Sequence, residues 1–156
     1  MAKNIDVVKK FQNLMAQGDQ AQAFKMITDD AIWHSDEIGA PWSGVHKGIE
    51  AIKSHFQNIS GTTKNFKRNT KEFIAHGNLI IEIGGLSCIL NKTNLPFETE
   101  YVCLYEVTGD QISSYRIFED SLHLYNAYFP KSKEKFVKKT VSHIIEKLEK
   151  LSRKTR

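Results

Sequence analysis

Two cysteines and three prolines are all that the 156 residues contain of either type. Two thiols cannot build a disulfide framework or a four-cysteine zinc site. Nine glycines without a period exclude a collagen-like or low-complexity chain. No apolar run approaches the length of a membrane span, and the opening stretch MAKNIDVVKK has no hydrophobic core of signal-peptide length. A cytoplasmic, reducing location is the resulting expectation. Gly-rich phosphate loops are absent too, so no nucleotide cofactor is expected, and no cofactor of any other kind. What is present is ordinary for one globular domain: 40% hydrophobic, 10% aromatic and 26% charged residues.

The net charge of +4 is unevenly placed. Residues 1–130 hold 12 Lys/Arg and 15 Asp/Glu, a balance of −3. Residues 131–156 hold 10 Lys/Arg and 3 Glu, a balance of +7. A body built to grip nucleic acid would be basic throughout, so no nucleic-acid partner is expected. The division instead predicts a domain over 1–130 and a basic helical extension over 131–156. In that extension Val137, Val141, Ile144, Leu148 and Leu151 form a heptad-like stripe. The stripe suits docking within the chain or across a dimer, contact with an anionic membrane surface, or a partner molecule.

Periodicity places the elements. Ile5, Val8, Phe11, Leu14 and Met15 recur at helical spacing over 5–16, with Gly18 to end the helix and Asp19 to cap the next. A short strand follows over Ala31–His34, then a Gly- and Pro-containing loop over 35–48. A third helix carries Ile49, Ile52, Phe56 and Ile59. Beyond Gly61 the period becomes that of strands: 66–75, 79–90, 97–107 and 112–120. Gly84-Gly85 predicts a sharp bend in the second of these. Thr108-Gly109-Asp110-Gln111 reads as a hairpin turn. Helices followed by antiparallel strands imply an α+β fold with helices on one face of a curved sheet.

Three stretches carry a resemblance. They are Ala16-Gln17-Gly18-Asp19 running on to Asp29-Asp30-Ala31-Ile32-Trp33-His34; the loop Gly39-Ala40-Pro41-Trp42-Ser43-Gly44 with Gly48-Ile49-Glu50-Ala51-Ile52; and the Arg-x-Phe-x-Asp pattern at Arg116, Phe118 and Asp120. Together they resemble the SnoaL-like and ketosteroid-isomerase-like branch of the nuclear transport factor 2-like superfamily, over roughly residues 5–128. The resemblance implies a cone-shaped barrel, a pocket at its wide end and a homodimer through the convex sheet. Such folds serve both enzymes and binding modules, so chemistry has to come from residues.

The steroid-isomerase set does not carry over. Phe11 stands where that enzyme type has a tyrosine, Ser35 (with Asp36 beside it) where it has its base, and Cys103 where it has its second acid. The cyclase branch fits better, with Asp120 as proton-transfer group and Arg116 as ligand-orienting charge. The competing reading makes Asp120 a helix cap ahead of Leu122–Phe129. His34 is a further acid/base candidate, although strand alternation turns it away from the side of Trp33. Trp33, Tyr101, Phe118 and Cys103 are the expected walls for a small hydrophobic ligand, with Trp42 and Tyr105 as further aromatics. The spacing of His34, His46 and His55 matches no metal motif, so no metal is expected. Isomerase, cyclase or hydrolase chemistry and a non-catalytic binding module are the two readings that remain open.

Overall fold

The computed structural model describes residues 2–130. The basic extension over 131–156 lies outside the described residues. Among the described residues four helices and six strands follow one another: α1 (Ala2–Ala16), α2 (Gln20–Phe24), β1 (Ile27–His34), β2 (Val45–Lys47), α3 (Ile49–Thr62), β3 (Thr63–His76), β4 (Leu79–Leu90), β5 (Leu95–Thr108), β6 (Gln111–Glu119) and α4 (Ser121–Tyr128). The strands form one curved, unclosed sheet in the order β2-β1-β6-β5-β4-β3. Only β1 and β6 run parallel; the other neighbours are antiparallel. This is the expected α+β cone, with helices held in the concavity.

Local chemistry explains the boundaries. Val7, Val8 and Phe11 bury one face of α1. Gly18 supplies the positive φ of +79° that turns the chain, and the Asp19 side chain accepts from Gln22 N–H at 3.2 Å to start α2. Long β4 and β5 alternate strictly, placing Phe97, Thr99, Tyr101, Cys103, Tyr105 and Val107 together on the buried face.

Two of the sheet's four register shifts bear on the site. Opposite Gly84, the register of β3 slips between Thr70 and Glu72. A Cβ on Gly84 would stand 2.4 Å from the Tyr101 hydroxyl and 2.6 Å from the Asn69 carbonyl, so only glycine permits the approach. The other of these lies between β5 and β6. Val107 pairs with Ile112, but Glu106 pairs with Ser114, leaving Ser113 as the extra residue of a bulge. One inserted residue exchanges the two faces of everything beyond it. Ile112 therefore points inward, and so do Tyr115, Ile117 and Glu119, while Arg116 and Phe118 point outward. Uninterrupted alternation places Ile112, Ser114, Arg116, Phe118 and Asp120 on one face; the bulge at Ser113 corrects that expectation.

Candidate functional site

The concavity holds a cavity of about 810 Å³. Its apolar walls come from α1 (Phe11), β1 (Trp33), α3 (Phe56) and the inward side of the sheet (Leu86, Phe97, Tyr115). Trp33 and Tyr115 sit side by side because β1 and β6 pair there. Their rings stack at 4.2 Å with 18° between planes, giving one wall a flat aromatic surface.

Beside that wall, reaching the cavity through Gln12, Arg68 and Tyr105, lies a polar network centred on Glu82, which is itself 0% exposed. Its Oε1 accepts from Arg68 Nε (3.1 Å), the Thr70 hydroxyl (2.7 Å) and the Tyr101 hydroxyl (2.6 Å). Its Oε2 accepts from Arg68 Nη2 (2.6 Å), Gln12 Nε2 (2.7 Å) and the Tyr105 hydroxyl (2.9 Å). Burial alone would push this carboxyl up, but the Arg68 hydrogen bonds and charge win and bring it to about 2. The Arg68 guanidinium also lies 4.4 Å from the Tyr101 ring centroid. Burial pushes the Tyr101 and Tyr105 hydroxyls far above the ordinary tyrosine range, so they remain donors.

A second cluster belongs to the loop between β1 and β2. Asp36 Oδ1 accepts from Ile38 N–H (3.1 Å) and the Ser43 hydroxyl (2.8 Å). Its Oδ2 accepts from the Trp42 indole N–H (2.8 Å) and the Ser35 hydroxyl (3.3 Å). The loop is closed by Ser35 N–H to the Gly44 carbonyl and Gly44 N–H to the Asp36 carbonyl. His55 Nδ1 and His46 Nε2 both meet the Trp42 carbonyl, at 2.8 and 2.9 Å. A carbonyl only accepts, so both nitrogens carry hydrogen. Burial brings His55 down to about 4, leaving it neutral at pH 7.

Glu119 differs from both carboxylates. It reaches the cavity from the end of β6, and its carboxyl has no hydrogen-bond partner among the described residues. Burial raises it to about 7; the Asp36 charge adds to the rise and the Arg68 charge opposes it. The Cys88 thiol on β4 faces it and is itself raised to about 11, by burial first and then by Glu119.

By sequence, no family model matches the chain, and neither does any curated protein. Solved structures do match it. An NTF2-like protein from Burkholderia xenovorans LB400 superposes with a TM-score of 0.76 at 25% identity, covering 82% of this chain and 97% of that one. The chain has the NTF2-like fold. Two more distant structures share it. TerC, co-crystallised with polyporic acid, gives a TM-score of 0.72 at 14% identity over 81% of this chain and 98% of its own. A protein from Mesorhizobium loti assigned as a SnoaL-like polyketide cyclase gives 0.61 at 21% identity, over 73% and 97%.

Within this NTF2-like cone the residues singled out from the sequence separate into three groups. Trp33 lines the cavity. Tyr101 and Cys103 face inward but lie behind the lining, Tyr101 on Glu82 and the Cys103 thiol against Arg68 (3.1 Å) and the Tyr115 hydroxyl (3.3 Å). Arg116, Phe118, His34 and Asp120 do not enter the cavity. Arg116 is exposed on the convex face, its guanidinium 4.7 Å from the Phe118 ring centroid. His34 pairs with Glu37 at 3.1 Å. Asp120 is exposed and accepts from His123 N–H at 2.8 Å, capping α4. Phe11, Ser35 and Asp36, the positions compared with the steroid-isomerase set, do line the cavity.

Arg68, Glu82 and Glu119 are the residues that the sequence reading missed. The available signal was slight: Glu82 is one acid on the face Ile80, Gly84, Leu86, Cys88 and Leu90, in a strand apolar on both sides. Glu119 was hidden by the bulge. Among the described residues no cluster of His, Cys, Asp and Glu suits a metal ion. No helix among them is long and apolar enough to cross a membrane.

Proposed function

We propose that this NTF2-like chain binds a small, flat, largely apolar molecule bearing a carbonyl group and moves a proton on it, with Glu119 as the acid/base. The observation that carries the reading is Glu119 itself: a carboxyl without a hydrogen-bond partner among the described residues, facing an aromatic cavity and titrating near neutral pH. A carboxyl raised to about 7 gives and takes protons at physiological pH far better than one at its ordinary value. Asp36 is not a second base. Four donors occupy its oxygens, and its work is to hold the loop and place a fixed negative charge beside Glu119. With one mobile proton carrier, the reaction class is isomerisation or cyclisation, in which the group that removes a proton returns it.

The co-crystallisation of TerC, which has the same fold, with polyporic acid supports a small organic ligand for this chain. Two buried, unpaired thiols suit a reducing, cytoplasmic setting. The convex face supports a homodimer. Across its strands Ile74 pairs with Ile81, Ile81 with Leu104, Ile83 with Val102, and Val102 with Phe118. Ile74, Val102 and Phe118 of this ladder are exposed, an apolar strip of the kind that a second copy covers.

The test uses 2-tetralone, a flat ketone with exchangeable α-hydrogens. Incubated in D₂O, it gains deuterium faster with the wild-type protein, and the catalysed rate rises with pH through about 7 as Glu119 ionises. Glu119→Gln lowers that rate by about 100-fold or more. Equal exchange by wild type and Glu119→Gln overturns the acid/base role and leaves a non-catalytic binding module.

A further inference from the structure

The guanidinium of Arg68 is held on one edge and one face. Nε and Nη2 bind Glu82, and Nη2 also meets Cys103 and Tyr105. The flat face covers Tyr101. Nη1, on the opposite edge, has no partner among the described residues. Nor is it sealed away, because the sealed side-chain polar atom without a partner among them is Thr28 Oγ1. Arg68 lines the cavity, and with its other edge turned into the core, the free edge faces the ligand space. Two N–H groups of a rigid guanidinium are thus left available in an apolar cavity.

From this arrangement we infer that Arg68 Nη1 is the anchor for a carbonyl oxygen of the ligand, and that the Arg68–Glu82 pair selects uncharged carbonyl compounds over carboxylates. The selection follows from the charges. Glu82 cancels the charge of Arg68, so the site offers directed donors without a net positive field. Asp36 and, above pH 7, Glu119 repel a ligand that is already anionic. A ketone or aldehyde arrives neutral, and any negative charge that grows on its oxygen during proton removal meets the Nη1 donors. The inference deepens the proposed function by naming the group recognised, and it rests on the cavity being the ligand site.

The experiment compares the dissociation constants of 2-tetralone, tetralin and 1,2,3,4-tetrahydro-2-naphthoate, which share one ring system. Arg68→Met alone strands the buried Glu82, so the informative variant is Arg68→Met/Glu82→Gln. The expected result is a tenfold loss of 2-tetralone affinity relative to tetralin, with tetralin binding kept and the naphthoate bound weakest by wild type. An unchanged ratio, or equal loss for both probes, overturns the anchor. A wild type that prefers the naphthoate overturns the selection, and one that binds none of the probes overturns the inference altogether. Glu119→Gln separates this inference from the proton-transfer reading. It lowers deuterium exchange by about 100-fold or more but keeps the 2-tetralone preference, so either conclusion can fail while the other stands.

Discussion

Glu82 on β4 and Glu119 on β6 project from the same concave face, and folding removes much of the water around each. Around Glu82 the sheet and α1 converge hydroxyls, an amide and a guanidinium on both oxygens, and the carboxyl falls to about 2. Around Glu119 the neighbours are an aromatic wall, a thiol and the like charge of Asp36, and the carboxyl rises to about 7. The two carboxyls thus sit on either side of the ordinary value for reasons visible in their partners. Burial by itself makes neither a structural nor a reactive group: the donors supplied decide which results.

The largest expected effect comes from breaking the partnered side. Arg68→Met leaves Glu82 charged and buried, costing about 3–5 kcal/mol in urea unfolding at pH 7. Arg68→Met/Glu82→Gln recovers most of that loss, since a neutral pair strands no charge. The same contrast sets the acid limb of stability. Glu82 is lowered in the folded state, so its contribution is complete above the unfolded value near 4.5 and disappears as pH falls toward 2. A double variant as unstable as the single one would show that packing, not charge, governs the network.

The unpartnered side predicts the opposite sign. Glu119 is raised when folded, so its linkage favours the native state below about 4.5 and that advantage is lost as pH rises through 7. Glu119→Gln therefore stabilises the protein at pH 8, by on the order of 2 kcal/mol after screening, and changes little at pH 4. Thermal unfolding of both proteins at the two pH values checks this. Equal stability at pH 8 would place the Glu119 carboxyl in water and remove the basis for its reactivity.

How much of this was legible in the sequence follows from the same residues. Helices α1 and α3 and strands β4 and β5 were readable because their apolar periods run unbroken. The fold was readable from the order of those elements with the loop Gly39–Gly44. The site was not, for two physical reasons. A single Ser113 inserted in β6 reversed the faces of Arg116, Phe118 and Glu119, and no local composition marks a bulge. Glu82 sits in a strand whose other residues are apolar on both faces, and its partners come from α1, β3 and β5, so only the tertiary structure assembles them. Asp36 is legible only as the neighbour of Ser35, the position that the resemblance singles out.

Asp120 sharpens the comparison, because it is a carboxyl next in sequence to Glu119 with neither kind of burial. Its oxygen receives His123 N–H at the start of α4. Asp120→Ala costs about 1 kcal/mol through the lost cap. It leaves the deuterium exchange of 2-tetralone at the wild-type rate. A fall in that exchange comparable to the one expected for Glu119→Gln would return Asp120 to the mechanism.

The smallest effect on the folded monomer belongs to the convex face, where the same bulge has put Phe118 at 47% exposure. Phe118→Glu removes no buried contact of one chain, so it shifts the stability of an isolated subunit by no more than about 0.5 kcal/mol. It does place a charge in the strip formed with Val102 and Ile83, which a second copy would have to bury unpaired. Sedimentation then reads a monomer where wild type reads a dimer. If both sediment alike, the apolar strip is not the contact, and the bulge at Ser113 serves the cavity alone by turning Glu119 inward.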